Sequence, residues 1–131
     1  MRYRILWIIL AIAVVIGLWA ALVPMKWRSN RGREAKIAAA NNDVASLHQA
    51  ISAYEIDIGR LPTANEGFDV LVQQPPDGNW NWHGPYMAKI PRDPWAHPYV
   101  YVVPGAAGSA GFNVVSYGPD GKPGGGDDIS D

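Results

Sequence analysis

The hydrophobic and polar positions divide the chain into an apolar N-terminal run, an amphipathic stretch and a C-terminal region of short apolar segments. Residues 5–23 carry no charged side chain. A helix of that length spans close to the roughly 30 Å hydrocarbon core of a membrane. A cleaved secretory signal has a shorter apolar core followed by small residues, and the residues after Val23 offer no such site. The run therefore predicts a transmembrane helix.

The next region, residues 24–62, begins as a basic stretch and continues as an amphipathic helix over residues 35–58. Gly59 and Pro62 then supply a stop signal. Apolar side chains recur in this helix at intervals of three, four or seven, which places them on one face. They are Ile37, Val44, Leu47, Ile51, Tyr54 and Ile58. This stripe is expected to pack against the core of a domain.

The remaining residues, 63–131, predict a small domain that mixes helix and sheet. Thr63 and Glu66 have the spacing of a capping box, so a brief helix is expected to begin near Ala64. Pro, Gly and Asn mark residues 73–85 as a loop. Residues 86–90, 99–103 and 112–116 are strand candidates, of which the last two are rich in β-branched and aromatic residues. The predicted fold class is α+β, with the long N-terminal helix packed on a small antiparallel β-sheet.

Charge and cysteine content exclude several classes of protein. Seven of the eleven basic residues lie in the first 36 positions, and from Ile37 onward four basic residues face eleven acidic ones. A nucleic-acid-binding module is expected to carry a basic face on its folded part, so this class is excluded. The absence of cysteine removes disulfides, thiol nucleophiles and cysteine-ligated metals.

Motifs for catalysis are absent as well. The chain contains no Gly-x-Ser-x-Gly, P-loop or dinucleotide-binding fingerprint. His48, His83 and His97 do not have a metal-binding spacing, and Glu55 and Asp57 are two residues apart on a helix, so they point away from each other. We therefore expect no enzymatic activity, no catalytic residues, no organic cofactor and no small-molecule substrate.

The C-terminal segment contains the one convincing set of metal ligands. Asp120, Asp127 and Asp128 bracket a glycine-rich stretch at residues 121–126. Flexible glycines allow carboxylates and backbone carbonyls to surround a hard cation, which takes six to eight oxygen ligands. The spacing differs from the Asp-x-Asp-x-Asp-Gly calcium loop, and clustered Asp and Gly at a C-terminus are also typical of a solvated tail. Spacing alone leaves both interpretations open.

Three tryptophans in the C-terminal region call for an explanation. Trp80 and Trp82 lie in the predicted loop 73–85, where exposed aromatic side chains indicate a contact surface for a neighbouring subunit or a partner. Trp95 lies among the Pro91 and Pro94 turns and is expected to cap the core.

Four motifs occur in order along residues 54–131. The first two are YEIDIGRLPT at residues 54–63 and NEGFDVLV at residues 65–72. The third, IPRDPWAHPYVY at residues 90–101, follows a Gly-Pro-Tyr and is the most specific. The fourth joins VSYGPDG at residues 115–121 to GGGDDI at residues 124–129. Together they resemble the major pseudopilins of type II secretion systems, which are relatives of the type IV pilins.

The resemblance implies a pilin-like fold and a structural, non-catalytic subunit. Members of that family assemble with one another and with other secretion-system components into a periplasmic pseudopilus that promotes protein secretion. The resemblance further implies a single-pass inner-membrane protein with a short cytoplasmic N-terminus at residues 1–4 and a periplasmic C-terminal domain at residues 63–131. The basic residues after the apolar run favour the opposite orientation. We interpret that basic stretch as lying along anionic headgroups instead.

The resemblance also implies a structural calcium ion in the loop at residues 117–129. Position by position, it makes Asp120 and Asp127 the side-chain ligands and Tyr117 a carbonyl donor. Asp128 becomes a direct ligand or a partner of a ligand.

The N-terminus departs from the family pattern. When Pro24 is aligned with the proline that follows the family's membrane helix, Arg2 takes the place of the leader glycine and Trp7 that of an acidic residue that registers subunits. A second hypothesis follows from this departure. The chain would then be a monomeric inner-membrane-anchored periplasmic binding protein that retains the pseudopilin domain without polymerising.

Overall fold

The computed structural model describes residues 2–76, 78–105 and 111–130, and within the N-terminal helix it describes the side chains of residues 7, 8, 10–19 and 31 onward. Helix α1 covers Arg2–Ile58. Three strands follow, β1 at Val100–Val102, β2 at Asn113–Ser116 and β3 at Ile129–Ser130, with short 3₁₀ helices at Asp69–Leu71 and Gly118–Asp120. The chain divides into two compact units, Met1–Ala35 and Lys36–Asp131.

The first unit contains the whole of the predicted transmembrane segment at residues 5–23. Its large apolar side chains are exposed wherever they are described, including Trp7, Ile16 and Trp19. Within the described part of the chain, no helix combines the length and apolarity needed to cross a bilayer. The side chains of Ile5, Leu6, Ile9 and residues 20–23 lie outside the described residues. The membrane span therefore stays a prediction.

The second unit is built on the predicted apolar stripe of α1. Val44, Leu47, Ile51 and Tyr54 are buried, whereas Ile37 and Ile58 at the ends of the stripe are partly buried. The four buried residues form one core with residues from the sheet and from the 3₁₀ helix at Asp69–Leu71, namely Val70, Leu71, Tyr99, Phe112 and Val114. The prediction of a core-packing helix is confirmed.

The end of the helix is also where the sequence predicts it. Gly59 has a φ of 81° and donates its N–H to the Glu55 carbonyl oxygen at 2.8 Å. A glycine in the left-handed region is a common helix terminator because it lacks the Cβ that crowds this conformation in other residues.

The capping box forms, but the helix expected after it does not. The Thr63 N–H donates to Glu66 Oε2 at 2.7 Å, and the Glu66 N–H donates to Thr63 Oγ1 at 3.3 Å. Gly67 then adopts a φ of 53°, which interrupts the turn, and helical structure resumes only in the 3₁₀ helix at Asp69–Leu71. The predicted start near Ala64 is wrong because the glycine leaves the right-handed region.

Glu66 also makes a two-pronged ion pair with Arg60, at 2.7 and 2.8 Å. The Arg60 guanidinium and the Thr63 hydrogen bonds lower the pKa of Glu66 from 4.5 to about 2. A lowered pKa in the folded state means that the stabilisation is complete above the unfolded value and is lost as the pH falls towards the folded one.

We expect Glu66→Gln to lower the free energy of unfolding at pH 7 by about 1–2 kcal/mol, since Arg60 is partly exposed and the ion pair is screened. The difference between wild type and variant should shrink as the pH falls from 4.5 to about 2, the interval between the two pKa values of Glu66. Urea unfolding of both proteins across this pH range measures the difference in their free energies of unfolding. A difference that is independent of pH would contradict the assigned ion pair.

The sheet has three antiparallel strands in the order β1-β2-β3. Val100 of β1 pairs with Val115, and Ser116 of β2 pairs with Ile129 of β3. The strands expected at residues 99–103 and 112–116 are thus present, in slightly shorter form, as β1 and β2. The fold comprises a helix on a small antiparallel sheet, and the α+β fold class is confirmed.

The third strand is not the predicted one. Residues 86–89 form bends and Ile90 lies in no regular element, because the N–H groups of Tyr86 and Met87 both donate to the carbonyl oxygen of Leu71, at 2.7 and 3.2 Å. That contact ties the segment to the 3₁₀ helix at Asp69–Leu71 rather than to a strand. The third position in the sheet is taken by β3 at Ile129–Ser130, which is too short to show an alternating pattern.

Tyrosine hydroxyls join the sheet to α1 and to the turn that follows it. Tyr99 donates to Asp43 Oδ2 at 2.9 Å, and Tyr101 donates to the Pro62 carbonyl oxygen at 2.8 Å. Burial raises the pKa of Tyr101 to about 12, and burial together with Asp43 raises the pKa of Tyr99 further above its ordinary value. Both hydroxyls therefore stay protonated and serve as donors at physiological pH.

Candidate calcium loop

The residues predicted to bind a metal lie in the connection between β2 and β3. Since Ser116 pairs with Ile129, residues 117–128 leave the sheet and return to it at one point. The 3₁₀ helix at Gly118–Asp120 opens this loop, and Gly121 and Gly124 through Gly126 follow with φ between 65° and 92°. Glycine adopts this region at little cost, so the chain can fold back on itself here.

This return brings two of the predicted carboxylates together. A Cβ added to Gly125 would lie 2.9 Å from Oδ1 of Asp127 and 3.7 Å from Oδ2 of Asp120. Both side chains therefore reach the same point beside the glycine turn. Two carboxylates in such proximity repel each other unless a cation or a proton intervenes.

Asp128 and Tyr117 occupy different places in the loop. Asp128 Oδ2 accepts the Gly124 N–H at 2.8 Å, so this side chain holds the glycine turn closed. Asp120 Oδ1 accepts the Lys122 N–H at 2.9 Å, and this hydrogen bond orients the Asp120 carboxylate. Tyr117 is partly buried and directly precedes the 3₁₀ helix. Its role as a carbonyl donor stays a prediction.

The donor set fits a hard cation. Among the residues that the structure describes, no group of three or more His, Asp or Glu side chains is placed to share one ion. A site here would combine Asp120 and Asp127 with backbone carbonyls and water. Oxygen donors in a flexible glycine-rich loop suit calcium, whereas zinc prefers nitrogen and sulfur ligands in a tetrahedron.

A buried carboxylate next to this loop was missed at the sequence level. Asp93 is buried and accepts hydrogen bonds from the N–H of Trp95 at 3.0 Å, the N–H of His97 at 2.7 Å and the hydroxyl of Ser116 at 2.6 Å. The available signal was an aspartate followed by proline in a turn-forming segment, where its side chain commonly accepts nearby backbone N–H groups. The contact with Ser116 is long-range and has no local signature.

The three tryptophans differ in their surroundings. Trp80 is 95% exposed, as expected for a contact residue. Trp82 is partly buried, donates its Nε1–H to the Val70 carbonyl oxygen at 2.9 Å and packs edge-on against Tyr86, so the expectation that its side chain is exposed is wrong. Trp95 is partly buried and lies 5.8 Å from the ammonium of Lys36, measured from the ring centroid.

Comparison with known proteins agrees with this architecture. Residues 29–131 match the family model for the type II secretion system protein G. The type II secretion system core protein G of Pseudomonas aeruginosa is 37% identical over 127 residues, which cover 94% of this chain and 87% of that protein. The protein of the same name from Escherichia coli K12 is 36% identical, over 93% of this chain and 84% of its own length.

The fold is similar to that of a solved relative as well. The crystal structure of the major pseudopilin from the type 2 secretion system of enterohaemorrhagic Escherichia coli matches with a TM-score of 0.66 at 30% identity, over 79% of this chain and 91% of the other. Sequence motifs, core packing and overall similarity thus lead to one conclusion. The chain belongs to the type II secretion system protein G family.

Proposed function

We propose that this protein is a pseudopilus subunit whose C-terminal loop binds a structural calcium ion and whose apolar N-terminal segment anchors it in the inner membrane. The family match over residues 29–131 carries the proposal. As a member of a family of structural pseudopilins, the protein is a secretion-system subunit and not an enzyme. Its partners are further copies of itself, other pseudopilins and other components of the secretion system.

The uncharged run at residues 5–23 supports the membrane anchor. Exposed apolar side chains such as Trp7, Leu10, Ile16 and Trp19 are costly in water and favourable in lipid. In the orientation that we propose for this anchor, residues 1–4 lie in the cytoplasm and the acidic C-terminal domain lies in the periplasm.

The convergence of Asp120 and Asp127 supports the calcium ion. When bound, the ion would neutralise the two carboxylates and draw loop carbonyls inward. The loop then closes the connection between β2 and β3, so its ordering would stabilise the last strand of the sheet. We propose this role as structural, with Asp128 holding the glycine turn.

Disulfide crosslinking in cells tests whether the subunit assembles. The chain has no cysteine, so each introduced one is unique. Ala38, Ala39 and Ala45 are exposed on α1, whereas Ala40 and Ala50 are buried. We expect at least one of the three exposed alanine-to-cysteine variants to yield a disulfide-linked dimer under oxidising conditions, because one thiol per subunit can join only two subunits. The two buried positions should yield monomers, because a thiol inside the core cannot reach a neighbouring subunit.

Monomers from all three exposed positions, in protein that is folded and membrane-bound, would contradict assembly. That result would favour the anchored monomeric binding protein, for which the exposed Trp80 would be the first contact residue to substitute.

A further inference from the structure

Gly118 is the residue through which the calcium loop is held by the rest of the domain. Its N–H donates to Ser116 Oγ at 3.1 Å, and its carbonyl oxygen lies 2.9 Å from His97 Nδ1. A carbonyl oxygen can only accept a hydrogen bond, so the proton of the neutral imidazole must be on Nδ1. Both main-chain polar groups of this glycine are therefore engaged by side chains.

Asp93 holds Ser116 by its side chain and His97 by its main chain. Ser116 donates its hydroxyl to Asp93 Oδ2, and the main-chain N–H of His97 donates to Asp93 Oδ1. The His97 Nδ1 atom also lies 3.8 Å from Asp93 Oδ2, and the Asp93 side chain has no exposed surface. A buried carboxylate is retained only where several hydrogen bonds satisfy it, so the arrangement around it is rigid.

The opposite side of Gly118 faces the proposed ligands. A Cβ at this position would overlap the main-chain oxygen of Asp127 and lie 3.1 Å from its Oδ2. Asp120 ends the 3₁₀ helix that Gly118 begins. The His97 ring also packs against Gly121, where a Cβ would lie 2.9 Å from Cε1 and from Nε2. Gly118 is thus in close contact with Asp127 and belongs to the same 3₁₀ helix as Asp120.

We infer that His97 and Ser116 are positioning residues that set the calcium affinity of the loop by fixing Gly118. This inference rests on the proposed calcium site. Neither side chain would itself be a ligand of the ion. Hydrogen bonds behind metal ligands orient them before the metal arrives, and their loss commonly weakens binding about 10–100-fold.

Calorimetric calcium titration of His97→Leu and His97→Asn tests the inference. Both side chains fill space, but only asparagine places an N–H donor where Nδ1 lies. We expect His97→Leu to weaken calcium binding by about 10–100-fold. His97→Asn should restore most of the affinity. Ser116→Ala, which removes the acceptor of the Gly118 N–H, should weaken binding in the same direction. His83→Leu is the control, because His83 lies 3.6 Å from Asp57 instead.

The outcomes separate this inference from the calcium proposal. Wild-type affinity in His97→Leu would overturn the inference and leave the calcium site standing. Equal weakening in His97→Leu and His97→Asn would also overturn it, because the effect would then come from ring packing on Gly121. If the wild type shows neither a heat of binding nor a rise in Tm with calcium, the calcium proposal fails and the inference fails with it.

Discussion

Replacing Asp127 by alanine is expected to lower the Tm of the protein in calcium and to leave it unchanged or higher in EDTA. In calcium the variant would lack one of the proposed ligands. Without the ion, the wild type keeps Asp120 and Asp127 beside the same glycine, and removing one carboxylate relieves their repulsion. The substitution is therefore expected to lower the Tm only in the buffer that contains calcium.

The size of the effect follows from linkage. Calcium at 100 times its Kd stabilises the folded state by about 2.7 kcal/mol. In a domain of this size, about 1 kcal/mol corresponds to roughly 4–8 °C in Tm. The wild type should thus melt about 10–20 °C higher in calcium than in EDTA. Asp120→Ala should reduce this gap in the same way as Asp127→Ala.

Asp69→Ala is the matched control, because it removes an exposed carboxylate from the 3₁₀ helix at Asp69–Leu71. It should preserve the full difference between calcium and EDTA. Thermal unfolding followed by circular dichroism measures all four proteins in both buffers. An Asp127→Ala variant that still gains as much from calcium as the wild type would rule out this residue as a ligand.

Gly118→Ala is expected to destabilise the protein in calcium and in EDTA alike. Gly118 has a φ of 63°, which costs a residue with a Cβ about 1–2 kcal/mol. The added methyl group would also overlap the main-chain oxygen of Asp127, and forcing the backbone apart typically costs a further 1–3 kcal/mol or so. We expect a total loss of about 3 kcal/mol and a weakened response to calcium.

Gly78→Ala separates the two causes. Gly78 has a closely similar φ of 66°, but a Cβ there meets no atom within 4 Å. This control should show only the conformational cost. Chemical denaturation of both variants gives the comparison, and equal losses for Gly118→Ala and Gly78→Ala would contradict the close approach between Gly118 and Asp127.

The helix and its packing face could be predicted because their signals are local. The spacing of Val44, Leu47, Ile51 and Tyr54 follows from the helical period, and the apolar side chains share a face wherever that helix forms. The stop at Gly59 depends on the backbone of one residue. The capping box of Thr63 and Glu66 joins groups only three residues apart.

The elements that sequence reasoning missed depend on distant partners. Residues 86–90 have the composition of a strand, but the Leu71 carbonyl captures the N–H groups of Tyr86 and Met87. The loop sequence around Trp82 predicts an exposed side chain, but in the structure its indole N–H donates to the Val70 carbonyl oxygen. In both cases a hydrogen bond to a remote segment overrides the local preference.

The candidate calcium site likewise combines features that the local sequence predicts with contacts that depend on distant residues. Sequence alone determined the supply of carboxylates and glycines, the amphipathic period of α1 and the family motifs, because each is a property of neighbouring residues. Only the tertiary structure decided that Asp120 and Asp127 converge while Asp128 closes the turn, and that Asp93 holds Gly118 through Ser116 and His97. These contacts arise once β2 and β3 pair and the chain ends of the loop meet, a geometric constraint that no local pattern encodes.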